Sequence, residues 1–167
     1  MEVVDIYNNK REKLNITRER GKQLEGEYSI SVHVWIVEKG RIWIQKRAPE
    51  RKIFPNMWEQ SGGGVLSGET SIETVKRECM EELGIDVGDN EIIYIGSYTR
   101  KKDIVDVWMV KRDLSNDKIL LQSEEVADIK FVTFDELDLM IKEKLTVPTI
   151  KPSYAMLKNY CESYEEK

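Results

Sequence analysis

Residues 71–83 constrain this chain more than any other stretch. Ile72, Val75, Cys79 and Leu83 recur at spacings of three, four and four, one apolar stripe on a 3.6-residue period. Thr70 or Ser71 can cap the start, and Gly84 stands where a helix normally stops. The pattern therefore predicts a helix over Ser71–Leu83 with one face to bury against a sheet. Glu78, Glu81 and Glu82 fall at i, i+3 and i+4, on a second face about 110° from the middle of the stripe. Such a helix can bury one side and present three carboxylates along the edge of a groove. Their mutual repulsion costs a few tenths of a kcal/mol per exposed pair. Arg77 offsets part of it, and a hard divalent cation such as Mg²⁺, which takes oxygen ligands, would offset more. Taken alone, Arg-Glu-x-x-Glu-Glu also describes a helix face that is merely solvated.

The flanking segments read as a mixed sheet covered by helices. Glu2–Tyr7 alternates and meets a turn signal at Asn8-Asn9, which suggests a strand or hairpin arm, while the highly charged 10–26 belongs on the surface. Tyr28–Val37 and Ile42–Arg47, joined by Glu38-Lys39-Gly40, read as a hairpin. Pro49 and Pro55 bracket a loop that leads through Met57-Trp58-Glu59 into Gly62-Gly63-Gly64. Further strands are expected at Ile92–Tyr98, Ile104–Val110 and Ile129–Phe134, with a short one near Ile119–Leu121. Helices are expected at Asp135–Lys144, capped by Thr133 or Asp135, and near Tyr154–Tyr164, beyond Pro148 and Pro152. The early hairpin argues for an α/β (α+β) fold with a mixed sheet rather than a doubly wound parallel one. The 167 residues suit a single domain: an arm over 1–27, a core over 28–145 and a C-terminal helix within 146–167. That last segment can either cover the core or serve a homodimer interface.

Composition removes several function classes. Apolar residues make up 40% and charged residues 34%, with a net charge of −5 and no dense basic block, so a nucleic-acid duplex is not the expected partner. No apolar run approaches the roughly 20 residues of a membrane span, and Met1-Glu2-Val3-Val4-Asp5 is not a signal peptide; a cytoplasmic location and no membrane partner are expected. Two distant cysteines, Cys79 and Cys161, make neither a disulfide framework nor a zinc site. Cys79 is expected to be buried, and the sole histidine, His33, to be a packed, hydrogen-bonded residue of a strand.

The spacing around the helix changes the weight of its carboxylates. Gly63 precedes Glu69 by six positions, Glu69 precedes Arg77 by eight, and Gly84-Ile85 closes the segment. Residues 63–85 thereby resemble the signature of the Nudix hydrolases: Gly, five variable residues, Glu, seven variable residues, then Arg-Glu-apolar-x-Glu-Glu-x-Gly-apolar, with Cys79 as the first apolar position. The resemblance covers roughly residues 28–145. It implies an α/β/α sandwich with a mixed sheet and a catalytic loop–helix–loop, and hydrolysis of a diphosphate bond in a nucleoside diphosphate-X or related small molecule. It further implies one or more Mg²⁺ or Mn²⁺ ions on Glu78, Glu81, Glu82 and the Gly63 backbone carbonyl. Arg77 and Glu69 match a pair that orients helix and loop. The general base varies within the family: Glu78, or an acid of a later loop such as Asp103, Asp106, Glu124 or Glu125.

Three more residues are substrate-binding candidates. Lys46 and Arg47 end the second hairpin strand and can reach substrate phosphates or solvent, and Trp58 can stack on a ligand or pack. Trp35, Trp43 and Trp108 read as core or inter-strand contacts. The N-terminal half, from Asp5-Ile6-Tyr7 through Arg20-Gly21 to His33-Val34-Trp35 and Gln45-Lys46-Arg47-Ala48-Pro49, resembles the Nudix subgroup related to isopentenyl-diphosphate isomerase, which raises a rival reaction, double-bond migration by protonation. That enzyme uses a cysteine and histidines near and before the helix, whereas residues 58–64 contain neither and His33 is the sole histidine. A ligand-sensing module that has lost catalysis is a third reading, although no carboxylate of the motif is missing.

Overall fold

The computed structural model describes residues 1–164; residues 165–167, the end of the expected C-terminal segment, lie outside them. The arm is a two-stranded antiparallel hairpin, β1 (Val3–Tyr7) with β2 (Lys13–Glu19). Val4 and Ile6 of β1 are fully buried, whereas β2, which lies within the segment expected as charged surface, is almost entirely exposed.

The main sheet has seven strands: β3 (Ser29–Glu38), β4 (Arg41–Arg47), β5 (Trp58–Glu59), β6 (Ser61–Gly64), β7 (Ile92–Thr99), β8 (Asp103–Lys111) and β9 (Val126–Thr133). It is mixed, because β3 runs parallel to β8 along Ser29–Val37 and antiparallel to its other neighbours. On that other side β3 forks. Ile36–Glu38 pair with β4, and Ser31–Val34 pair with β6. Strand β4 turns away to pair with β5 and β9, so the sheet opens between β4 and β6.

Alternation along β3 sends residues to two cores. Val32, Val34 and Ile36 pack under α1 (Ser71–Leu83) with Val75, Cys79 and Leu83. Trp35 and Val37 pack on the other face against α2 (Phe134–Lys142) and α3 (Lys151–Tyr164), through Leu137, Met140, Tyr154 and Leu157. This is the α/β/α sandwich expected from the sequence, and α3 covers a core. Among the described residues no helix is long and apolar enough to cross a membrane.

Helix α1 has the expected bounds. Thr70 is its cap, in a reciprocal capping box with Glu73, and Gly84 ends it in the left-handed region at φ 71°. Thr133 likewise caps α2. Three expectations need correction. No strand forms at residues 119–121; instead the Leu120 N–H donates to the Leu83 carbonyl at 2.9 Å and the Gln122 N–H to that of Glu82 at 3.2 Å. The segment thus satisfies carbonyls left open at the end of α1, not those of a strand. Strands β5 and β6 were not expected, because two residues and a Ser-Gly-Gly-Gly run carry no β-propensity signal. Finally, α3 begins at Lys151 and takes Pro152 into its first turn, where the missing N–H costs no helix bond.

Candidate active site

The fork of the sheet leaves a cavity of about 240 Å³, walled by β3, β6, the loop after β4 and one face of α1. Glu78, Glu81 and Glu82 all line it, with Gln60, Gly62 and Gly63 opposite. The carboxylates are graded in exposure: Glu82 is 4% and Glu78 7% exposed, while Glu81 lies open at the rim. They are not simply the solvated edge that the bare pattern also allowed.

Glu82 reaches into the opening between β4 and β6. Its Oε2 accepts from Gln45 Nε2 at 2.7 Å, and its Oε1 accepts from Ser61 Oγ at 2.7 Å and the Gly62 N–H at 3.3 Å. Burial nonetheless dominates over these donors and lifts its pKa to about 7. Glu78 is pushed up to about 8, by burial first and then by the neighbouring Glu82 charge, with Arg77 opposing. It lies so close to β6 that a Cβ on Gly63 would stand 2.0 Å from Glu78 Oε1. A side chain at position 63 and Glu78 in this position are incompatible.

Arg77 ties the helix to the loop before it. Nε and Nη2 donate to Glu69 at 2.8 and 3.0 Å, Nη2 also to the Gly64 carbonyl at 2.9 Å, and Nη1 to Glu78 at 3.0 Å and Glu81 at 3.2 Å. Burial works against the Glu69 charge. Arg77, the Thr74 hydroxyl and the Leu66 N–H outweigh it and hold the Glu69 pKa below its ordinary value. Among the described residues no three acidic, histidine or cysteine side chains stand in metal-binding geometry. The reason is visible in the bonds: the Arg77 guanidinium reaches Glu78 and Glu81, and Glu82 turns to Ser61 and Gln45.

The remaining candidates separate. Arg47 lines the cavity, bonded to Glu59 at 3.0 and 3.2 Å and to the Ile53 carbonyl at 2.9 Å. Lys46 does not line it, since alternation along β4 sends it to the opposite face. Trp58 is also outside the lining, and Lys130 Nζ sits 4.5 Å from its ring centre. Of the acids considered as bases, Glu125 is on the cavity wall, 3.2 Å from Arg51, and Glu124 is exposed away from it. Asp103 is held by Arg100 at 2.6 Å and by Ser31 at 2.7 Å, two residues that do line the cavity. Asp106 is buried beneath the N-terminal hairpin in a bidentate pair with Arg11 at 2.6 and 2.7 Å, and is no part of the wall.

The sequence did not single out Gln45, Ser61, Gln60, Arg20, Arg51, Arg100 and Thr149. Gln60 and Ser61 stand next to the motif, Arg20 and Gln45 entered only through the subgroup resemblance, and Arg51, Arg100 and Thr149 carried no signal. A larger cavity of about 760 Å³, between the β3–β4 turn, α2 and α3, contains none of the motif residues.

An α/β/α sandwich whose forked sheet faces a helix with two buried glutamates and an arginine-tied loop defines a loop–helix–loop hydrolase architecture. The chain belongs to the Nudix family: the NUDIX domain model matches residues 27–156. It is 39% identical over 143 residues to an uncharacterised Nudix hydrolase of Listeria monocytogenes, covering 84% of this chain and 85% of that one. It is 31% identical over 125 residues to the nucleoside triphosphatase NudI of Escherichia coli, covering 67% and 89%. In fold it is similar to DR0079 of Deinococcus radiodurans (TM-score 0.74, 23% identity, covering 87% and 92%). It is also similar to a Nudix hydrolase of Nitrosomonas europaea (TM-score 0.62, 15% identity, covering 79% and 89%).

Proposed function

We propose that this Nudix hydrolase is a divalent-metal-dependent pyrophosphohydrolase that cleaves the diphosphate bond of a nucleoside diphosphate-X or a related small diphosphate. The observation that carries the reading is the pair of buried carboxylates, Glu78 and Glu82, on a cavity wall beside Gly63, where burial outweighs the donors that reach them. All the donors there are oxygens, which suits Mg²⁺ or Mn²⁺ rather than a softer ion. Glu78, Glu81, Glu82 and the Gly63 carbonyl would hold the cation. Bound there, it would supply charge neutralisation of the diphosphate and a lowered pKa for the attacking water. Arg77 and Glu69 keep helix and loop in register, so that the carboxylates and the glycine strand face each other across the cavity. Glu78 is the first choice for the general base and Glu125 the second, since Glu125 alone of the later-loop acids lies on the cavity wall. Arg47 is the better placed of the three proposed substrate contacts. The likeness to a nucleoside triphosphatase favours a nucleotide among the diphosphates.

The rival isomerisation lacks its acid. The Cys79 thiol is fully buried among apolar residues and pushed up to about 12, by burial first, and His33 alone of the cavity residues is an imidazole. The test is a substrate panel with Mg²⁺ or Mn²⁺: nucleoside diphosphate derivatives, dinucleotides, nucleotide sugars and isoprenoid diphosphates. Phosphate or monophosphate release that stops with EDTA and falls at least 100-fold in Glu81→Gln and Glu82→Gln is expected. Turnover that survives EDTA, or isomerisation of isopentenyl diphosphate, would sink the reading.

A further inference from the structure

Four guanidiniums face the cavity: Arg20, Arg47, Arg51 and Arg100. Three are committed. Arg47 bonds Glu59 and a backbone carbonyl, Arg51 pairs with Glu125, and Arg100 grips Asp103 with two bonds of 2.8 and 2.6 Å. Arg20 differs. Among the described residues it makes a single side-chain hydrogen bond, Nη1 to Glu2 at 2.8 Å, and both partners are about half exposed. An ion pair so open to water holds its partners weakly. The remaining guanidinium donors are thus available for exchange.

The chain nevertheless holds Arg20 in one place. Its backbone N–H donates to the Glu2 carbonyl at 2.9 Å, just past the end of β2. Its guanidinium lies over Gly64, so that a Cβ there would stand 3.0 Å from Nε and 3.2 Å from Cζ. Gly64 is the residue whose carbonyl holds Arg77. Strand alternation puts Arg20 and Glu78 on opposite faces of β6, whose Gly63 meets Glu78 while Gly64 meets Arg20. Both Arg20 and Glu78 nevertheless line the cavity. Arg20 also lies outside residues 27–156, the part matched to the family.

We propose that Arg20 is a substrate-binding residue, contributed by the N-terminal hairpin, that exchanges Glu2 for a phosphate oxygen of the diphosphate. The planar fork of a guanidinium suits two phosphate oxygens, and Glu2 holds one of its nitrogens, Nη1. This makes Glu2 a competitor built into the arm: its carboxylate must leave before the phosphate can dock. The proposal rests on the diphosphate reading above.

The test measures binding of methylenediphosphonate, a diphosphate analogue that cannot be hydrolysed, by calorimetry with Mg²⁺ present, alongside hydrolysis by the same proteins. Arg20→Gln should bind roughly tenfold more weakly, the worth of one charge-assisted contact, and raise KM with kcat within about twofold. Glu2→Gln should move the other way, binding about two- to fivefold more tightly, because the competitor is gone. A purely structural ion pair predicts the same sign for both variants. Equal signs, an Arg20→Gln protein that binds like the parent, or a parent that does not bind the analogue would each overturn the proposal. A parent that binds through Arg20 but hydrolyses no diphosphate would overturn the diphosphate reading and leave the arginine's role standing.

Discussion

Glu82, Glu78 and Glu81 are three residues of one type on one turn-and-a-half of helix, yet the fold treats each differently. Helical phase already ranks them, at about 65°, 105° and 165° from the centre of the apolar stripe, and burial follows that order. What phase cannot supply is the partners: Gln45 and Ser61 come from strands on either side of the fork. His33 shows the same division. Its place in a strand of β-branched neighbours marked it as packed, but its partner, Ser153 Oγ at 2.9 Å from Nδ1, is 120 positions away on α3. Burial first, and then Arg100, lower its pKa from 6.5 to about 4. The unfolded chain therefore takes up a proton near pH 6.5 that the folded chain refuses until about pH 4, and stability is lost as pH falls through that window. Compared with His33→Asn, the parent should lose up to about 3 kcal/mol between pH 7 and 4 by denaturant titration. Parallel pH profiles for the two proteins would show that His33 is not held neutral.

At the scale of elements, α1 was legible and β6 was not. The helix announces itself through a capping Thr70, a stripe of four apolar residues and a terminal glycine. A strand of Ser-Gly-Gly-Gly has no such pattern, because its residues are chosen for what must come close rather than for what the strand prefers. Gly63→Ala tests this directly. The new methyl would have to displace the Glu78 carboxylate from its position. Because that carboxylate ends a flexible side chain, the fold should survive, with Tm within a few degrees of the parent. Metal-dependent turnover should fall by at least about 100-fold, the range typical for a misplaced catalytic group. A fully active Gly63→Ala protein would mean that the close approach of β6 and α1 does not matter to the chemistry.

For the whole molecule, the two cores on either side of the sheet have different tasks. The one under α1 positions the carboxylate helix; the one under α2 and α3 closes the sheet's other face with Leu137, Tyr154 and Leu157. Leu157 is fully buried, so Leu157→Ala should cost about 2–5 kcal/mol in denaturant unfolding, while kcat of the folded protein at 25 °C stays near that of the parent. A loss of kcat as large as that of Gly63→Ala would instead couple α3 to the site. The sequence by itself determined the helix, its caps, the strand hairpin, the class of fold and the family, because each is written in short-range periodicity or fixed spacing. Only the tertiary structure decided which carboxylates are buried, where the sheet forks, and which arginines reach the cavity. Arg20, Arg51 and Arg100 sit in three separate loops or strand ends, and no local pattern records that chain segments 80 residues apart will meet. Spacing marks the helix of Arg77, Glu78, Glu81 and Glu82, but the strands folded against it decide which of its carboxylates are buried.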